Sequence, residues 1–85
     1  ALIILTSVEK VFINRGTDKE EQLGEISVSQ AKQYMEEGHF GVYNMLPKFR
    51  ASVSFIEKGE GRLAYITCQE ALRDALKGRT GTIIR

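Results

Sequence analysis

Apolar runs and helix-spaced stretches alternate along the chain. Leu2, Ile3, Ile4 and Leu5, followed by Thr6, form an unbroken apolar run of the kind a strand covered on both faces carries. A second short β-type run spans residues 11–14. Only residues 7–10 separate the two, which predicts a hairpin or a tight corner. Residues 15–25 are charged, carry Gly16 and Gly24, and show no period, which predicts an exposed loop. A helix is predicted over 27–38. Ser27 and Gln30 stand at capping-box spacing, with Ile26 and Ala31 at the staple positions. Ala31, Tyr34 and Met35 make a narrow apolar face, and Gly38 supplies the stop.

Residues 39–43 are irregular. Asn44 then reads as an N-cap with Pro47 in the first helical turn, where its missing N–H costs little. Leu46, Phe49, Val53 and Ile56 recur at helical spacing until residues 58–61 end the element. Residues 63–67 predict a third strand. Thr67 and Glu70 suggest another capping box, ahead of a helix that buries Ala71, Leu72, Ala75 and Leu76 and stops at Gly78. Residues 80–84 predict the last strand. The order is strand, strand, helix, helix, strand, helix, strand. That pattern predicts an α/β two-layer sandwich, a mixed four-stranded sheet with about three helices on one face. The first strand is apolar on both sides, and a short chain has little to cover its second face. Self-association as a homo-oligomer through that exposed apolar strand face is therefore expected.

Composition narrows the function classes. Eighty-five residues and 9.6 kDa allow one small domain over 1–85. Twelve basic residues stand against 11 acidic ones, a net charge of +1. No electrostatic case exists for nucleic acid or an anionic membrane, and neither is predicted as a partner. One cysteine makes no internal disulfide, and Cys68 with His39 is too small a soft-ligand set for structural zinc, so no metal-ligating residues are assigned. No apolar run approaches the roughly 20 residues of a membrane helix. The start lacks a basic n-region and a cleavage pattern, so a cytoplasmic location is expected. The chain opens on Ala1 without an initiator Met, and both ends read as strands. This suggests a piece cut from, or built after, something larger.

The chemistry concentrates in residues 38–48, where a glycine-containing loop runs into a helix start. Unpaired backbone N–H groups and the helix dipole favour an anion there, and Lys48 adds a point charge suited to phosphate. Cys68 reads as an inert small residue at a helix start, since a Cys–His pair needs a proximity the sequence does not show. His39 reads as a loop or packing residue. Asp18, Glu20 and Glu21 read as solubilising loop charge. Arg73, Lys77, Arg79 and Arg85 gather near the end of the last helix, where cations suit its dipole.

Four blocks carry a family resemblance. Residues 3–14 resemble the pattern LILTDVxxVYIN. Glu36-Glu37-Gly38-His39-Phe40, followed by Met45-Leu46-Pro47-Lys48, resembles EGHFAPGSMLPKV. Ala64-Tyr65-Ile66-Thr67-Cys68 and residues 78–84 resemble AIITS and GKxGTxIV. In order and spacing these are similar to the closing segments of carbamate kinases, in the amino-acid kinase superfamily. The resemblance implies phosphoryl transfer between ATP and carbamate, with ATP or ADP and Mg²⁺ as cofactors, in a considerably longer chain. It implies that Lys48 is the catalytic contact to the transferred phosphoryl group. It further implies a nucleotide-binding set of Thr6, Ser7, Phe12, Asn44, Met45, Pro47 and Lys48, with Met45 and Pro47 shaping the wall and residues 6–12 near the adenosine.

The departures from the pattern are specific. Ser7 stands for Asp, Phe12 for Tyr, Tyr43 and Asn44 for Gly and Ser, Phe49 for Val, Tyr65 for a small aliphatic and Cys68 for Ser. Tyr43 fills space a glycine would leave open to a ligand. Tyr43, Phe49 and Tyr65 add aromatic volume to a short chain's core. Two expectations follow: a carbamate-kinase segment that is inactive alone and retains at most weak nucleotide or phosphate binding, or an engineered or structural stand-alone scaffold with no ligand.

Overall fold

The computed structural model describes residues 1–14, 16–41 and 45–85. Strand β1 (Leu2–Leu5) runs parallel to β5 (Ala64–Thr67), with Leu2 opposite Ala64 and Leu5 opposite Thr67. Strand β6 (Thr82–Ile84) runs antiparallel to β5 and parallel to β4 (Glu25–Ile26), giving the order β1-β5-β6-β4. The mixed four-stranded sheet and three helices are as the pattern predicts. The neighbours of β1 are not. Strand β2 (Val11–Ile13) leaves the sheet and pairs antiparallel with β3 (Glu21–Leu23) as a separate ribbon, Val11 opposite Leu23.

The stretch expected to be an exposed loop, 15–25, therefore contains β3 and runs into the first residue of β4. Leu23 within it and Ile26 just after it are buried, while Glu21, Gln22 and Glu25 face solvent. One apolar residue in a three-residue strand leaves no period to detect.

Helix α1 (Val28–Glu36) begins on the expected capping box. The Gln30 N–H donates to Ser27 Oγ at 3.1 Å, and the Ser27 N–H donates to Gln30 Oε1 at 2.9 Å. Ile26 and Ala31 flank the cap, both buried. At the far end Gly38 takes φ +78°, and the Gly38 and His39 N–H groups return to the carbonyls of Met35 and Tyr34. Helix α2 (Met45–Glu57) buries Phe49 and Val53, with Leu46 and Ile56 packed beside them. The expected N-cap Asn44 and the substituted Tyr43 lie outside the described residues.

A 3₁₀ turn (Gln69–Ala71) then leads into α3 (Leu72–Leu76). The expected Thr67–Glu70 capping box does not form. Thr67 is the last residue of β5, and its buried hydroxyl donates to the Glu9 carbonyl at 3.0 Å instead. Cys68 is the N-cap and makes no side-chain cap bond.

Helices cover both faces of the sheet, not one. Leu2, Ile4, Ala64, Ile66 and Ile84 point to the side of α1, α2 and the ribbon, and join their core. Strand alternation puts Thr67 and Ile83 on the opposite face. There α3 packs so tightly that a Cβ on Gly81 would lie 3.1 Å from the Cβ of Ala75 and 3.3 Å from that of Thr67. Both faces of β5 are lined by residues that need cover, and the small Ala71 and Ala75 let a short helix supply it. Leu76, expected to be buried, is 48% exposed. The outer face of β1 is uncovered, with Ile3 41% and Leu5 47% exposed. Among the described residues no helix is long and apolar enough to cross a membrane.

Gly81 also sits at φ +82°, so Gly81→Ala combines backbone strain with those close contacts. A melting-temperature drop is expected, by circular dichroism, that Gly24→Ala does not share, since a Cβ at Gly24 meets nothing within 4 Å.

Candidate functional site

Parallel strands deliver their C-terminal ends to one edge of a sheet, where ligands of α/β proteins gather. Here β1 ends at Leu5 and β5 at Thr67, and the Thr6 N–H donates to the Thr67 carbonyl at 2.8 Å. The chain beyond β1 forms one wall of a cleft of ≈ 390 Å³, through Thr6, Ser7, Val8, Val11 and Phe12. The opposite wall comes from the α1–α2 connection and the first turn of α2, through His39, Phe40, Gly41, Met45 and Lys48. That volume suits a small-molecule site.

Lys48 sits at the meeting of the walls. Its Nζ donates to Thr6 Oγ1 at 2.8 Å, part-buried, and among the described residues it has no carboxylate partner. The ammonium keeps donors to spare. Phe12, Phe40, Met45 and Val8 make the remainder of the lining largely apolar. The lining thus combines a cation, bonded to the Thr6 hydroxyl, with the Ser7 hydroxyl and with aromatic and aliphatic side chains.

Of the residues expected at the site, the fold brings together Thr6, Ser7, Phe12, Met45 and Lys48. Pro47 is exposed and does not line the cleft. Helix geometry explains this: Met45 and Lys48 are three apart and share a face, while Pro47 is turned about 100° from Lys48. Asn44 lies outside the described residues.

His39 lines the cleft as well, which its residue type alone did not reveal. The signal was its place in the Glu36–Phe40 block. Its Nε2 lies 3.0 Å from Glu37 Oε1, and its ring meets Tyr34 edge-on at 5.7 Å. Behind it Phe40 stacks on Phe49 with centroids 4.1 Å apart. Phe49, where the family pattern has Val, therefore fills core beneath the cleft rather than the cleft itself.

Gln33 Nε2 donates to Glu37 Oε2 at 3.1 Å. This bond first, and the His39 contact second, hold the Glu37 carboxyl below the ordinary carboxylate range. A folded-state value that is lowered contributes stability at neutral pH that is lost as pH falls through it. An NMR titration of Glu37 should show a midpoint below the usual glutamate value, and Gln33→Ala should move it upward.

Among the described residues no group of three His, Cys, Asp or Glu side chains could hold a metal ion. The described lining contains no carboxylate, so Mg²⁺ in this cleft would be held through the phosphates of a nucleotide. Cys68 does not line this cleft and borders a separate depression with Leu5, Thr6, Ser7, Gln69 and Glu70.

No protein-family model matches the chain. Individual relatives do. The chain is 47% identical over 83 residues to the carbamate kinase-like protein YqeA of Escherichia coli K12, which covers 98% of this chain and 27% of that protein. It is 46% identical over 84 residues to the carbamate kinase of Staphylococcus haemolyticus, again 27% of its length. Among solved structures, carbamate kinase from Giardia lamblia bound to AMP-PNP superposes with a TM-score of 0.89 at 37% identity, over 98% of this chain and 29% of that one. A solved protein of Aeropyrum pernix K1 gives 0.85 at 38% identity. The chain spans about a quarter of the length of the curated relatives it matches. In sequence and in fold, it is an 85-residue segment matching the C-terminal part of carbamate kinases.

Proposed function

We propose that this segment forms the nucleotide side of a carbamate kinase and binds the phosphates of ATP or ADP, as the Mg²⁺ complex, in the cleft between β1 and α2. The observation that carries this reading is Lys48, placed by the first turn of α2 at the C-terminal end of β1 and paired there, among the described residues, with a neutral hydroxyl and no carboxylate. A part-buried ammonium facing hydroxyls recognises phosphate, and the apolar lining of the cleft suits a nucleoside. The AMP-PNP bound by the Giardia carbamate kinase supports the same ligand class. The Phe49 substitution leaves the cleft open, so it gives no support to a ligand-free scaffold. With ATP and ADP as ligands, the working location is the cytoplasm.

Phosphoryl transfer depends on positioning and charge stabilisation around the whole transferred group. The described lining supplies one cation, Lys48, and no carboxylate. The segment is therefore proposed to bind nucleotide without turning it over. The test is titration of the ¹⁵N-labelled chain with MgATP, alongside a coupled assay for carbamate-dependent nucleotide conversion. Saturable shifts at Thr6, Ser7, Phe12 and His39 are expected, with no turnover. Silence at millimolar MgATP would sink the binding reading, and measurable turnover would sink the proposal that the segment lacks catalysis.

A further inference from the structure

The β2–β3 ribbon shares no ladder with the four-stranded sheet, yet it supplies Val11 and Phe12 to the cleft wall. Besides the backbone bond from the Ile83 N–H to the Gly24 carbonyl, threonine hydroxyls attach it. Thr82, on β6, is fully buried. Its Oγ1 accepts from the Val11 N–H at 2.8 Å and donates to the Leu23 carbonyl at 2.6 Å. Val11 and Leu23 are the first paired residues of the ribbon, so one hydroxyl grips both of its strands. Two residues before Val11, the Glu9 carbonyl accepts from Thr67 Oγ1, and the Glu9 carboxylate accepts from Thr80 Oγ1.

The two ribbon groups lie beside side chains only 2% exposed, where water cannot replace a lost partner. A hydroxyl both accepts and donates, and among small side chains only serine could do the same. Valine has the shape of threonine and does neither. Hydrophobic packing alone would be met by valine at position 82, so the polar choice marks where backbone must be fixed.

We propose that Thr82, seconded by Thr67, is a positioning residue for the cleft. Its hydroxyl sets the wall formed by Val8, Val11 and Phe12 against Met45 and Lys48 without touching the ligand. The inference rests on the reading of the cleft as a nucleotide site, with that wall toward the nucleoside and Lys48 toward the phosphates as the family resemblance implies, and adds to it the residue that holds the wall in place. A loosened wall would weaken the hold on the nucleoside and leave the hold on phosphate intact.

The test compares Thr82→Val and Thr82→Ser in the ¹⁵N-labelled 85-residue chain. Without ligand, Thr82→Val should lose amide-exchange protection at Val11 and shift the amides of Ser7, Val8 and Phe12. Tyr34 and Met35 in α1 should stay unchanged, and Thr82→Ser should restore the native pattern. With ligand, Thr82→Val should weaken MgATP binding about tenfold and leave binding of inorganic tripolyphosphate unaltered, with serine again restoring the affinity. If Thr82→Val does not fold, Thr67→Val, which cuts only the Glu9 tether, is measured the same way. Changes confined to Val11 and Leu23 with unaltered ATP binding would overturn the proposal, as would equal losses for ATP and tripolyphosphate. If the unmodified chain binds neither ligand, the nucleotide reading fails, and the ligand-free spectra alone decide whether Thr82 sets the wall.

Discussion

Phe49→Ala should destabilise the fold by about 3–5 kcal/mol, the usual range for truncating a buried phenylalanine. Phe49 is 0% exposed and heads the fully buried side chains by volume. It stacks on Phe40 from the α1–α2 connection, and α2 carries it into the core that also holds Ile66, Ile84, Val11 and Leu23. The substitution therefore opens space in the one buried cluster to which sheet, ribbon and helices α1 and α2 all contribute. An 85-residue domain typically has about 4–13 kcal/mol of stability in total, so much of it is at stake. The expected fall in melting temperature is roughly 12–40 °C, taking about 4–8 °C per kcal/mol for a domain this size. Circular dichroism is the measurement, since the chain has no Trp. Phe49→Leu, which keeps more of the volume, should lose far less. A loss below about 1 kcal/mol for Phe49→Ala would mean that neighbours collapse into the space, contrary to the close packing expected of a core. Because Phe40 lines the cleft, the same variant should disturb ligand binding even where it remains folded.

What the sequence made legible follows from how local each signal is. The capping box at Ser27 involves residues three apart, so its two bonds were readable directly. The face of α2 repeats over three turns, and Phe49 and Val53 are buried as the repeat requires. Strand β3 was not readable, because Leu23 is one apolar residue among charges and its partner Val11 is remote in the chain. Thr67 shows a similar limit. A hydroxyl ahead of a helix looks like a cap, but Glu9 in a distant turn takes it. Thr82 falls in the block that resembles GKxGTxIV, but its role was not readable there, since its two partners come from β2 and β3. At the site, the resemblance supplied Lys48, Met45, Thr6, Ser7 and Phe12, and the fold gathers all five in one cleft. It also supplied Pro47, which helix geometry turns away. For His39 the residue type alone carries no pattern and its place in the Glu36–Phe40 block is the one signal, whereas in the fold Glu37 and Tyr34 contact it beside the cleft.

Lys48→Ala should weaken binding of MgATP and of inorganic tripolyphosphate by about 10- to 150-fold, the equivalent of the roughly 1.5–3 kcal/mol that a hydrogen bond to a charged group contributes. The loss should be similar for both ligands, because the role proposed for the ammonium is toward phosphate and not toward the nucleoside. Stability should change little, since the bond removed is one part-buried contact to a hydroxyl that can turn toward water. Thr6→Val separates two roles for that contact. If Thr6 holds the ammonium in place for phosphate, Thr6→Val weakens both ligands several-fold and adds nothing to Lys48→Ala in a double-mutant cycle. If Thr6 instead competes with phosphate for the ammonium, its removal tightens binding. The first outcome is expected, because an ammonium has three donors and can keep the hydroxyl while it meets a phosphate oxygen. Lys48→Arg keeps the charge but carries a longer planar fork, which the walls at Thr6 and Met45 were not shaped to take. It should recover only part of the affinity. Full recovery would mean that charge alone, without the placement provided by β1 and α2, accounts for the site.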